Sequence, residues 1–291
     1  MKPRHLLLPL LFFASTALAQ LPKHHPVPGG VAVVELDGDA AVEQVRYRDR
    51  LALLVESNQG RVALLGIPLD ASPGTHEFET VHDDGDTRRH PFEVGDYDYG
   101  ESRITIEDER MITPDEEDLP RIAADREEIN AAIAHHSGRI PATLSFELPI
   151  RDVETSPFGT QRYINDRPRN PHSGVDIRGN EDTVIHAPAP GEVIETGDYY
   201  FNGKTVFLDH GSGLISMFAH MSRIDVAVGD EVDTGAALGR AGATGRVTGP
   251  HLHWTVALNG ALVNPRLFVA DESPLDADPS QDEAAAEAED E

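Results

Sequence analysis

Hydrophobic residues fall in short runs along most of this chain, each broken by glycine, proline, asparagine or aspartate. From Gly29 to about Ile106 the runs read "GGVAVVEL", "RLALLVES", "GRVALLGIPLDASPG" and "HEFETVHDDGDTRRHPFEV". Short Val/Leu/Ile stretches at this spacing predict the strands of a small β-sandwich. No catalytic constellation appears there; His76-Glu77 lacks the second histidine that a zinc-binding helix would place one turn on. One stretch carries a helical period instead. Thr113-Pro114-Asp115-Glu116 predicts its start, with Thr113 as N-cap, Pro114 at the first position and acids in the first turn. The helix is expected to run to about His135, with Ile122, Ile129 and Ile133 near one face, and to serve as a connector. His135-His136 then read as helix-end cations. From Ile140 to Val269 the glycine-punctuated β pattern returns. "GEVIETG" from Gly191 is echoed by "GDEVDTG" from Gly229, which suggests two hairpins with similar turn chemistry. The fold class is therefore mainly β: a small N-terminal sandwich, a helical connector and a second β-rich domain.

The ends of the chain change the picture. Lys2 and Arg4 precede an apolar block from Leu6 to Phe13, followed by Ala17-Leu18-Ala19, which reads as a secretory signal cut before Gln20. The block is too short for the roughly 20 residues that span a bilayer, and no later segment is long and apolar enough. The chain has no cysteine, which excludes disulfides, thiolate metal sites and a lipidated cysteine together. An exported, soluble protein of a periplasm or cell envelope is the expectation. A net charge of −27 argues against nucleic acid as a partner. Part of that charge sits in Asp271–Glu291, a run of carboxylates without a base that has little to bury and repels itself. These features divide the 291 residues into a signal (1–19), an N-terminal β-rich domain (20–108), a helical connector (109–139), a second β-rich domain (140–270) and an acidic tail (271–291). Self-association is left open.

Five polar residues of the second half carry the candidate chemistry: His172 and Asp176 in "HSGVD", His220 in "MFAHM", and His251 and His253 in "HLH". In a strand, His251 and His253 project to one face while Leu252 goes to the other. His172, Asp176 and one of the paired histidines offer two nitrogens and an oxygen, a set that Zn²⁺ accepts at roughly 2.0 to 2.2 Å, with a corner left open for water. Without cysteine, an open catalytic site is the sharper reading than a closed structural one. Taken singly, each histidine has an ordinary explanation as a hydrogen-bonded residue.

The stretch from about Ser156 to Phe268 resembles the lysostaphin-type zinc metallopeptidases, which cleave peptide bonds in peptidoglycan. The resemblance is carried by "SPFGTQRYINDRPRNPHSGVDI", "APAPGEVIETGDYYFNGKTVFLDHGSGLISMFAHMS", "VAVGDEVDTGAALGRAGATG" and "GPHLHWTV". It implies an antiparallel sheet with a groove over the metal, His172, Asp176 and His253 as zinc ligands, and His220 and His251 as unligated catalytic histidines. Which of the two moves protons and which steadies an oxyanion stays open. Arg162, Arg167, Arg169 and Arg178 make a locally basic stretch in an acidic chain. Arg162 and Arg169 are candidates to bind a substrate carboxylate, against the plainer reading of a solvated loop. Gly239, Gly242 and Gly245 read as turn formers, His186 and His210 as structural, and Trp254 as core. "PGG" and "LLGIPLDASPG" resemble the β-rich domain that precedes some exported members, a domain that would position the enzyme or cover its groove. The expected function is an exported zinc endopeptidase acting on peptidoglycan stems or cross-links; the alternative is a catalytically inactive envelope scaffold or activator.

Overall fold

The computed structural model describes residues 20–36, 41–57, 60–105, 113–152 and 154–270. The expected signal and the acidic tail lie outside the described residues. Strands dominate, with one helix of appreciable length among the described residues, as the hydrophobic pattern predicts.

In the N-terminal half, Val31–Leu36, Gly60–Gly66 and Leu53–Ser57 form one antiparallel sheet. Arg50–Leu51, Val42–Tyr47, Gly74–His82 and Thr87–Val94 form a second. Between them lies a core that includes Ala32, Val45, Ala63, Leu65 and Phe78. The unbroken apolar run "VALLG" records a further burial. Its alternate residues Val62 and Leu64 point the other way, with Val31 and Leu53, into the core of the C-terminal half beside Trp254, Val256 and Leu258. A strand apolar on both faces is a strand covered on both faces. Glycine permits the closest approach, since a Cβ on Gly66 would stand 2.4 Å from the Leu258 carbonyl oxygen. The two halves thus share one hydrophobic core.

The C-terminal half is built on an eight-stranded sheet whose pairings are all antiparallel. Its path runs Glu231–Val232, Gly191–Tyr199, Gly203–Gly211, Leu214–Met221, His251–Leu258, Val175–Arg178 and Glu154–Ser156, with Ala261–Val263 also paired to His251–Leu258. The echoed pieces do not make two equivalent hairpins. Gly191 and Glu192 pair with Val232 and Glu231, so the two stretches meet each other at the sheet edge. A smaller sheet joins the halves: Glu101–Ile104 runs parallel to Gln161–Ile164, which turns through Asn165 and Asp166 to pair with Arg167–Pro168. Both turn residues have left-handed φ, 49° and 60°, as a tight two-residue hairpin requires.

The helix differs from expectation at its start. It spans Leu119–Ile133 with Asp118 at the N-cap, and Thr113 to Asp118 precede it. Pro120 supplies the reason: a helix begun at Thr113 would bury that proline in its interior, against the carbonyl of Glu116, whereas a start at Leu119 puts it in the first turn, where a missing N–H costs nothing. The helix is also more than a connector. Ile129, Ala132 and Ile133 pack on Phe207, Ile215, Met217 and Ala257 of the large sheet, and its start is tied to the next turn by Tyr200 Oη donating to Asp118 Oδ2 (2.9 Å).

Candidate metal centre

The large sheet sorts its side chains by the two-residue pleat. On His251–Leu258, residues Leu252, Trp254 and Val256 enter the main core, so His251, His253, Thr255 and Ala257 face the opposite way. That second face is the one the helix covers at the Ala257 end. At the other end it holds polar side chains instead. Asp176 pairs across from His253, and Ala219 stands on the other side of it.

His220 reaches this face by a break in the pleat. Phe218 and Met221 both enter the main core, and the register between Gly203–Gly211 and Leu214–Met221 shifts at this point. His220 has φ +62°, left-handed for a side-chain-bearing residue. Such a bulge puts two consecutive residues, Ala219 and His220, on one side of the strand. The strained backbone is held by His220 N donating to Asn202 O and by its ring. The result is a His220 ring centred 5.0 Å from His251 and 5.9 Å from His253.

His172, Asp176 and His253 converge. His172 Nε2 lies 3.0 Å from His253 Nδ1 and 3.0 Å from Asp176 Oδ1, and His253 Nδ1 lies 2.8 Å from the same oxygen. All three are at least nine-tenths buried, and among the described residues they form the group able to hold a metal ion. The His172 Nδ1–H donates to the Pro157 carbonyl (2.9 Å), so in the neutral ring Nε2 presents a lone pair to the cluster. His253 Nε2 meets Thr255 Oγ1 at 3.0 Å, leaving Nδ1 to face inward. Donors bonding a metal at roughly 2.0 to 2.1 Å in tetrahedral geometry stand about 3.3 Å apart, and a triangle with 2.8 to 3.0 Å edges is close to that. Two imidazoles and a carboxylate therefore suit a divalent cation bound from one side.

Electrostatics fit the same reading. Burial alone would raise the Asp176 carboxyl, but the His172 and His253 imidazoles closing on it hold it well below the usual carboxylate range. Burial lowers His172, and it pushes His220 down to about 3, with the neighbouring His253 acting in the same direction. His220 Nδ1–H donates to Thr244 O and His251 Nδ1–H donates to Gly249 O, each at 2.9 Å. Both rings, when neutral, thus carry their lone pair on Nε2. That of His251 lies 3.7 Å from Asp176 Oδ1.

All five candidates from the sequence meet in this one place. Arg162 does not point away into a groove; its Nη2 donates to Asp176 Oδ2 at 2.9 Å. Arg169 is fixed by its backbone, its N–H donating to Arg162 O and its carbonyl accepting from Gln161 Nε2. His186 is exposed and bonded to Gly235 O, while His210 is buried between Pro190 O and Ser216 Oγ. Trp254 is fully buried. The supports Pro157, Thr244 and Thr255 were missed. Thr255 alone had a signal, since the pleat that pairs His251 with His253 includes the next alternate residue.

An antiparallel sheet with three buried donors and two further imidazoles on one face is the architecture of a metallopeptidase. Comparison with known proteins agrees. The description of peptidase family M23 matches residues 170–265, and that of the M23 N-terminal domain matches residues 24–97. A solved Pseudomonas aeruginosa structure assigned to peptidase M23 is 41% identical, with a TM-score of 0.70 and coverage of 84% of this chain and 96% of that one. The peptidoglycan DD-endopeptidase ShyC of Vibrio cholerae is 39% identical over 95 residues, which are 33% of this chain and 22% of that protein. The DD-carboxypeptidase/endopeptidase Mpg of Neisseria meningitidis is 35% identical over 111 residues, 38% of this chain and 26% of that protein. Most of each curated relative lies outside the match. The chain belongs to peptidase family M23, a family of metallopeptidases.

Proposed function

We propose that the protein is an exported, zinc-dependent endopeptidase that hydrolyses peptide bonds in peptidoglycan stems or cross-links. The observation that carries the reading is the convergence of His172 Nε2, Asp176 Oδ1 and His253 Nδ1 beside two imidazoles that are not part of that triangle. An inactive scaffold would have no use for His220 and His251 in this arrangement. The names of the Vibrio cholerae and Neisseria meningitidis relatives support the substrate class, and the apolar block before Gln20 supports export. Among the described residues no helix is long and apolar enough to cross a membrane.

His172, Asp176 and His253 would hold the zinc, which when bound would supply a water of lowered pKa and a Lewis acid for the scissile carbonyl. The two remaining histidines divide the proton work. His251 is the more exposed ring, beside Asp176 Oδ1, and its Nε2 takes the proton of the attacking water and returns it to the leaving amine. His220 is kept neutral by burial, so its Nε2 accepts a hydrogen bond and orients that water. Arg162 holds the outer oxygen of Asp176, and Arg169 stands by for the substrate.

The test uses the zinc-loaded full chain and purified sacculi, with released fragments identified by mass spectrometry. Cleavage within stems or cross-links is expected, abolished by a chelator and restored by zinc. Activity that survives complete metal removal overturns the mechanism.

A further inference from the structure

The loop beside His220 hangs on one hydroxyl. Thr244 Oγ1 accepts from Lys204 N at 2.9 Å and donates to Met221 O at 2.8 Å. Lys204 and Met221 are partners across two neighbouring strands of the large sheet, so a side chain from a third segment bridges the pair. It does so at the break in the ladder. The register runs from Val206 opposite Phe218 to Lys204 opposite Met221, which leaves Thr205 alone to face both Ala219 and His220. That surplus residue is the bulge that turns His220 to the polar face, where its φ is +62°.

The same residue holds the ring. Thr244 O accepts from His220 Nδ1 at 2.9 Å, while His220 N donates to Asn202 O at 2.8 Å. The two acceptors belong to segments pressed against each other. A Cβ on Gly203 would stand 2.3 Å from Thr244 Oγ1 and 2.6 Å from Thr244 O, and one on Gly245 would stand 2.4 Å from Gly203 N. A side chain at either glycine would force the segments apart. Arg246 N, donating to Phe201 O at 2.9 Å, fastens the loop one residue further on. The carbonyl that fixes the His220 tautomer is thus fixed in turn, through its own side chain, to the strand that carries the histidine and to the strand beside it. A hydroxyl suits this place because it accepts and donates at once; a methyl there would leave the Lys204 N–H and the Met221 carbonyl without this partner.

We propose that Thr244 is a positioning residue for His220: its hydroxyl locks the 241–246 loop onto the bulge, and its carbonyl sets the tautomer of the ring and the direction of Nε2. The inference rests on the endopeptidase reading for the work that His220 does, but the state of the ring can be read without substrate. Misplacing a catalytic group by about 1 Å can cost on the order of 100-fold in rate, so a loop that is loosened but still folded is expected to cost about tenfold or more.

The zinc-loaded full chain is compared as wild type, as Thr244→Val, which keeps the shape and loses the hydroxyl, and as Thr244→Ser, which keeps the hydroxyl. Zinc content and thermal unfolding are measured for each, with kcat and KM on soluble peptidoglycan fragments and the His220 ring nitrogens by NMR. Wild type should show His220 as a single Nδ1–H tautomer. Thr244→Val should retain zinc and KM, lose about tenfold or more in kcat and show a mixture of His220 tautomers, and Thr244→Ser should return most of both. An unchanged kcat and an unchanged ring in folded Thr244→Val overturn the proposal, as does a Thr244→Ser protein impaired to the same degree. Where loss of the hydroxyl prevents folding, wild type decides alone: a slowly exchanging His220 Nδ1–H supports the proposal, and a ring protonated on Nε2 or mixed between tautomers overturns it. A ring held in wild type and released in Thr244→Val, without any hydrolysis by wild type, sinks the endopeptidase reading and leaves the positioning role standing.

Discussion

Arg162 Nη2 lies 2.9 Å from Asp176 Oδ2, while Oδ1 of the same carboxylate faces His172 and His253. One oxygen is thus spoken for by the guanidinium and the other is turned to the metal position. Groups that orient a metal ligand in this way usually matter for affinity by about 10- to 100-fold. Arg162→Gln is expected to weaken zinc binding by that order in a chelator competition, with Arg162→Lys intermediate. Unaltered zinc affinity together with a raised KM would show that Arg162 serves the substrate instead.

The two histidines of "HLH" should separate cleanly. His253→Ala removes one corner of the donor triangle, so the protein should lose bound zinc and activity together. His251→Ala leaves the triangle intact and should retain zinc while kcat falls by at least about 100-fold. Metal content by mass spectrometry beside turnover is the measurement, and equal zinc loss in both variants would refute the division.

Gly174 lies inside the "HSGVD" motif for a packing reason. A Cβ there would stand 2.5 Å from Trp254 O, 2.6 Å from Thr255 Oγ1 and 2.8 Å from His253 Cε1. Two of these groups are rigid, so Gly174→Ala must push the strand Val175–Arg178 away from its partner and move His253. Lowered thermal stability and weaker zinc binding are both expected. Retention of wild-type zinc affinity would show that the strand accommodates the methyl elsewhere.

Acid sensitivity should come partly from His210, away from the metal centre. Burial depresses this ring from 6.5 to about 4. The unfolded chain therefore binds a proton that the folded one refuses. Stability is full above about pH 6.5 and is lost as pH falls toward 4, with a limit on the order of 3 kcal/mol for this one group. Urea unfolding at pH 7.5, 6 and 5 should show the decline, and His210→Asn should flatten it. An identical slope in the variant would assign the effect to other groups.

The shared core makes a claim about cooperativity. Leu64, on an N-terminal strand, is fully buried against the C-terminal half. Leu64→Ala should cost about 2 to 5 kcal/mol, and denaturant unfolding of the whole chain should remain a single transition. Two separate transitions, with only the first displaced, would mean that the halves fold independently.

Much of this site was legible because its parts are local. The pleat placed His251 and His253 on one face without knowledge of any partner strand, and the donor types of His172 and Asp176 limited the metal chemistry. Thr255 belonged to the same alternation and was overlooked. His220 could not be placed by that rule, which would have turned it to the core with Phe218; a bulge with left-handed backbone reversed it. The helix start was misplaced because two prolines competed, and only Pro120 has the geometry of a first-turn residue in the folded chain.

The amino-acid order by itself settled the β character, the presence of a helix ahead of the second β-rich stretch and the identity of the residues able to bind a cation, since each follows from periodicity or from the chemistry of single side chains. Tertiary structure decided the rest. The pairing of Asp176 with His253, the use of Arg162 on that carboxylate, and the joining of the two halves through the core that holds Leu64 and Leu258 all join residues far apart in the chain. Such contacts depend on strand order and register, which are fixed by the burial of both faces of a sheet at once and leave no mark in any short stretch of sequence.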